Sequence, residues 1–102
     1  TLFRSMRARA VTVFPGGFGT MDEMFEALTL IQTGRMAPVP ILLFGESFWR
    51  TVINWDALAE AGTISAEDLR LFSYVETARE ALALIEAHDA AAKPAGSLLQ
   101  RG

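Results

Sequence analysis

The sequence predicts an α/β fold built on a parallel sheet, and three observations predict it. Short apolar runs recur at Ala10–Phe14, Ile41–Phe44 and Leu71–Val75. Segments with helical periodicity follow each of them. A cluster of glycines closes the first run and leads into the first helix. Strands alternating with helices of about ten residues or more imply βαβ units, and hence parallel strands joined by right-handed crossovers. In such sheets ligands sit at the carboxyl ends of the strands.

Each element has its own local reason. Residues 1–9 carry Phe3 and Met6, with Arg4, Arg7 and Arg9 at helical spacing, and read as the end of a helix begun upstream. Ala10–Phe14 is apolar and rich in β-formers without clean alternation, as a buried strand is, and Pro15 stops it. Thr20–Thr33 reads as a helix. Met21, Met24, Phe25, Leu28 and Ile31 form one apolar stripe, and Asp22, Glu23 and Glu26 lie near its positive start. Gly34 ends it. Pro38 to Pro40 mark a turn, and Ile41–Phe44 is a second buried strand, ended by Gly45.

Ser47 is positioned to cap a helix that runs to about Asn54 or on to Ala61. Its apolar positions are Phe48, Val52 and Ile53, with Trp49 and Trp55 alongside, and Gly62 breaks it. Ser65 and Asp68 open a short helical turn before the third strand, Leu71–Val75. Thr77 opens a last helix through about Ala92, with Ala78, Ala81, Leu82 and Ile85 inward. Pro94, Gly96 and their polar neighbours predict a disordered tail over residues 93–102.

Composition narrows the function. With 102 residues and 51% hydrophobic content the chain is a single domain with a packed core. A net charge of −3 and three clustered arginines make a poor electrostatic case for nucleic acid. No apolar run approaches the roughly 20 residues that span a bilayer, and no signal peptide is visible. The absence of cysteine rules out thiolate metal sites and fits a cytoplasmic protein. The single histidine, His88, reads as a helix-end surface residue, so no metal site is expected. Lys93 is the only lysine and lies in the tail, whereas a Schiff-base lysine must be held in a pocket. No cofactor is expected.

The loop in "VFPGGFGTMDE" is the most informative stretch. Gly16, Gly17 and Gly19 lack Cβ atoms, so the backbone is free to take positive φ and a ligand can approach closely. The loop feeds a helix N-terminus, whose free N–H groups and dipole attract phosphate, and Thr20 adds a hydroxyl. The alternative is that the glycines serve turn geometry alone. Likewise "TMDE" fits a capping box, with Thr20 as the cap and Glu23 reaching back. Neither G-x-x-x-x-G-K-[ST] nor G-x-G-x-x-G is present. Gln32 and Thr33, at the far end of the helix, read as caps.

"PGGFGTMDE" resembles the P-G-G-x-G-T-x-x-E signature of the LONELY GUY family of phosphoribohydrolases. "FEALTLIQTGRM", "PILLFG", "FW", "VINWDAL" and "GTISAEDLRLF" continue the similarity to bacterial members over most of residues 6–92. The resemblance implies a Rossmann-like three-layer fold and a homodimer or larger homo-oligomer. It implies hydrolysis of the N-glycosidic bond of nucleoside 5′-monophosphates, AMP or cytokinin ribotides, to free base and ribose 5-phosphate. Gly16, Gly17, Gly19 and Thr20 would hold the 5′-phosphate, and Glu23 would act at the ribose.

The family also uses an arginine upstream of the signature, and the family spacing puts it before Thr1. Arg4 and Arg7 do not occupy that position, and the family's N-terminal half has no counterpart here. The expectation is therefore that residues 1–92 are the C-terminal part of a family domain, with about three strands, and that the chain alone is marginally folded and inactive. Two other functions compete. One is a nucleotide-binding module without turnover, as in the molybdenum-cofactor carrier proteins. The other is an inactive remnant that only pairs with another subunit.

Overall fold

The computed structural model describes the backbone of residues 10–101 and the side chains of residues 10–91. The helix end expected at residues 1–9, with Arg4, Arg7 and Arg9, lies outside the described residues. The elements run β1 (Val11–Val13), α1 (Phe18–Gln32), β2 (Ile41–Phe44), α2 (Glu46–Val52), α3 (Trp55–Glu60), a 3-10 helix (Ala66–Arg70), β3 (Phe72–Val75) and α4 (Ala78–Arg101). The strands form one parallel sheet in the order β1-β2-β3, with Val11, Ile41 and Phe72 in register.

Alternation along the strands separates two faces. On one, Val11, Val13, Ile41 and Leu43 pack against Met24, Ala27 and Ile31 of α1 and against Trp49 and Trp55. On the other, Leu42 and Val75 meet Ala81 of α4, with Phe44 and Ile85 partly buried beside them. Helices on both faces make the three layers of a Rossmann-like α/β fold. All crossovers between neighbouring strands lie on the first face, so α4 alone covers the second among the described residues.

Several boundaries differ from the sequence expectation. The helix predicted from Ser47 toward Ala61 is two helices. The first ends at Val52 with Ile53 as its C-cap, and Asn54 caps the second, its Oδ1 accepting the Ala57 N–H at 3.0 Å. The break turns Trp49 and Trp55 into the buried anchors of this segment, while Val52 is 44% exposed. The Trp49 indole N–H donates to the Phe44 carbonyl at 2.9 Å, which satisfies its polar end inside the core. Ser47 is not the cap of α2. Gly45 is, at φ 88°, a left-handed conformation that a side chain would strain.

The turn at "SAED" forms a complete capping box between Ser65 and Asp68. Thr77 opens α4 by accepting the Glu80 N–H on its hydroxyl at 3.1 Å. Of the four residues expected inward on α4, Ala81 is buried and Ile85 partly buried, whereas Ala78 and Leu82 are exposed. The backbone of α4 runs from Ala78 to Arg101.

Candidate active site

α1 begins two residues earlier than its apolar stripe implies, and this rearranges the expected loop. Gly17 is the N-cap, and no side chain caps the helix. Thr20 and Glu23 therefore do not form a capping box. Asp22 and Glu23 lie beyond the first turn, which holds no acid. Thr20 sits inside the first turn with Glu23 one turn further on. None of Gly16, Gly17 and Gly19 has positive φ, because Gly19 is already helical and Gly17 has moved into the cap position.

The glycines matter for space instead. A Cβ on Gly16 would overlap the Thr20 side chain and come within 2.9 Å of its Cβ. No such neighbour exists at Gly17 or Gly19, where a Cβ would meet nothing within 4 Å. Gly16 thus lets the loop close onto the helix, and Gly17 and Gly19 leave its mouth open. The first helical bond of α1 is from Met21 N–H to Gly17 O at 3.0 Å. The N–H groups of Phe18, Gly19 and Thr20 precede it and have no acceptor in the helix.

A cavity of about 210 Å³ lies beside this helix start, along the outer edge of β1. Val11, Val13 and Met24 are its buried apolar lining, and Thr12, Phe14 and Pro15 its exposed part. Thr20 and Glu23 bring the hydroxyl and the carboxylate to it. The Glu23 carboxylate has no hydrogen-bond or ion-pair partner among the described residues. No cationic side chain among the described residues lines the cavity.

The other strand ends are already occupied. At the end of β2, the Glu46 N–H donates to the Glu76 carboxylate at 2.9 Å. The Glu76 N–H in turn donates to Glu80 at 2.6 Å, and Gly45 N–H to the Val75 carbonyl at 3.0 Å. Two of the chain's own carboxylates thus close the ends of β2 and β3, and the α1 start stays open. The sequence reading passed over Glu76 and Glu80 because neither belongs to a periodic stripe.

A larger opening of about 390 Å³ lies beside β3 and is lined by Arg50, Asn54, Trp55, Asp56 and Tyr74 among others. Its one cation is spoken for: Arg50 pairs with Glu46 at 2.6 Å and lies over the Tyr74 ring at 4.8 Å. Burial pushes the Tyr74 phenol above its ordinary value of 10.0, so it stays neutral at physiological pH. The chemistry points to the smaller cavity at α1.

Comparison with known proteins bears on the same loop. The family described as "Possible lysine decarboxylase" matches residues 3–85, most of the chain. This chain belongs to the LONELY GUY family. No curated protein matches it. The family match spans the whole signature from Pro15 to Glu23, and it stops before Lys93. Lys93, the single lysine in the sequence, lies beyond the matched segment. No helix among the described residues is long and apolar enough to cross a membrane.

Proposed function

We propose that the site serves N-glycosidic hydrolysis of nucleoside 5′-monophosphates, AMP or cytokinin ribotides, giving free base and ribose 5-phosphate. One observation carries the reading: Thr20 and Glu23, one helical turn apart, line a single cavity beside the free N–H groups of the α1 start. Those N–H groups and the helix dipole favour the 5′-phosphate, with the Thr20 hydroxyl as a further donor. A helical turn rises about 5.4 Å, close to the distance from a 5′-phosphate to its ribose. Phosphate binding therefore sets the sugar opposite Glu23.

Breaking the bond builds positive charge on the sugar. A carboxylate with no internal cation to neutralise it stabilises that charge, and it can orient or deprotonate the attacking water. The cavity brings no cation of its own to the phosphate, so an arginine from outside the described residues completes the site in this reading. A homodimer or larger homo-oligomer and a cytoplasmic location belong to the same proposal. The missing cation also supports the second reading, a module that binds the nucleotide without turning it over.

The test is adenine release from AMP, followed by chromatography. It is run on this chain alone and on the chain joined to the upstream half of a LONELY GUY protein, each beside Glu23→Gln. Release by the joined protein that disappears in Glu23→Gln is the expected result. Nucleotide recovered bound and unchanged supports the binding module. Neither binding nor release removes the proposal.

A further inference from the structure

Phe14 stands out among the residues that line the candidate cavity. It is a large apolar ring that is 58% exposed at the carboxyl end of β1, immediately before the Pro15–Gly16 turn. One of its faces is fixed. The Phe44 ring lies at 4.5 Å with an interplanar angle of 21°, a parallel stack that extends onto β2. Pro15 packs toward Gly45 just beyond, where a Cβ would sit 3.5 Å from the proline ring, so the turn after Phe14 is held as well. The ring is oriented by its neighbours, and its exposure falls on the side away from Phe44.

A phenyl ring held rigid and exposed at the carboxyl end of a parallel strand stands where ligands bind in such sheets. The sequence reading took Phe14 as the last residue of a buried strand; Val13 is buried there and Phe14 is not. Phe18, on the other side of the glycines, is 95% exposed but does not line the cavity. Of the two rings, only that of Phe14 shares the cavity with Thr20 and Glu23. Every purine offers a flat π-face, and aromatic side chains recognise bases by stacking without regard to hydrogen-bond pattern.

We propose that Phe14 is the nucleobase platform of this site, its free ring face stacking on the base of a nucleoside 5′-monophosphate whose phosphate lies at the α1 start. The inference rests on the nucleotide reading of the cavity. It makes Phe14 a specificity residue: it favours substrates that carry an aromatic base over sugar phosphates without one. Because stacking is tolerant of ring substituents, it admits both plain and N6-substituted purines.

The experiment measures dissociation constants for AMP and for ribose 5-phosphate by calorimetry, on this chain and on the joined protein carrying Glu23→Gln so that AMP is not consumed. The proteins are wild type, Phe14→Leu, Phe14→Tyr and, as an aromatic outside the cavity, Phe25→Leu. The expected result is a loss of about tenfold in AMP affinity in Phe14→Leu, with ribose 5-phosphate affinity unchanged and AMP affinity restored in Phe14→Tyr. Phe25→Leu leaves the ratio of the two constants as in wild type. If Phe14→Leu weakens both ligands equally, or neither, Phe14 is a packing residue; the inference is overturned and the nucleotide reading stands. If neither the chain nor the joined protein binds either ligand, the nucleotide reading falls and takes the inference with it.

Discussion

Glu23 and the glycines before it set opposite demands on single residues. A carboxylate without a hydrogen-bond or ion-pair partner among the described residues contributes little to folding, so its removal is a test of chemistry alone. In the joined, active protein Glu23→Gln is expected to lower AMP turnover by about a hundredfold or more, the scale of losing one electrostatic contact to a transition state. Its unfolding free energy in urea should move by less than about 0.5 kcal/mol. A large loss of stability would mark Glu23 as structural instead. Among the glycines, Gly16→Ala drives a Cβ into Thr20 and should destabilise by about 1–3 kcal/mol. Gly19→Ala meets open space in a helical conformation and should stabilise by up to about 1 kcal/mol. If the N–H groups nearby hold phosphate, the same Gly19→Ala weakens phosphate binding, since its new methyl group stands at the open mouth of the loop. Stabilisation with unchanged phosphate affinity would confine Gly19 to turn geometry.

At the scale of elements, Asp68 ties two of them together. Its Oδ2 accepts the Ser65 N–H at 2.9 Å within the capping box and the Gln32 side-chain amide at 2.7 Å across from α1. The Ser65 N–H, then the Gln32 amide, holds the carboxyl below its ordinary value of 3.8. Folding therefore favours the ionised form. That stabilisation is fully present above pH 3.8 and is lost as pH falls through the lower folded value. The difference in melting temperature between wild type and Asp68→Ala should be full at neutral pH and shrink on acidification. A difference that stays constant would assign the effect to packing. The sequence predicted the capping box because Ser65 and Asp68 have cap spacing. It read Gln32 as a cap because its partner is 36 residues away, and no local pattern carries that information. The start of α1 was displaced for a related reason. Thr20 and Glu23 have capping-box identities, yet the helix starts at Gly17 with no side-chain cap. Strand–helix order was legible because apolar runs and periodic stripes are local; the break at Asn54 was not, since Trp49 and Trp55 choose their burial from the sheet they meet.

The whole molecule is asymmetric about its sheet. The face under α1, α2 and α3 holds most of the core, while the opposite face has Leu42, Val75 and Ala81 as its buried residues. On that second face the β1 side is bare among the described residues: Thr12 is exposed, and so is Phe14. Leu82 and Leu84 of α4 add exposed apolar area, at 54% and 38%. The parallel topology was legible in the sequence, and so was the glycine loop's place at the end of the first strand. The asymmetry was not, because periodicity marks a residue as apolar without saying whether a neighbour exists to cover it. β1 also has a pairing partner on only one side among the described residues, and an unpaired strand edge beside bare apolar side chains favours association. The isolated chain should therefore self-associate with rising concentration in sedimentation velocity. Leu82→Glu together with Leu84→Glu should shift it toward monomer without weakening the α1 side of the core, because neither leucine belongs to that cluster. If the double variant associates as wild type does, the contact runs through the β1 edge or the helix layer, and the same measurement on Thr12→Lys separates those two. A chain that stays monomeric at every concentration would mean that α4 and the backbone around β1 protect the sheet well enough alone.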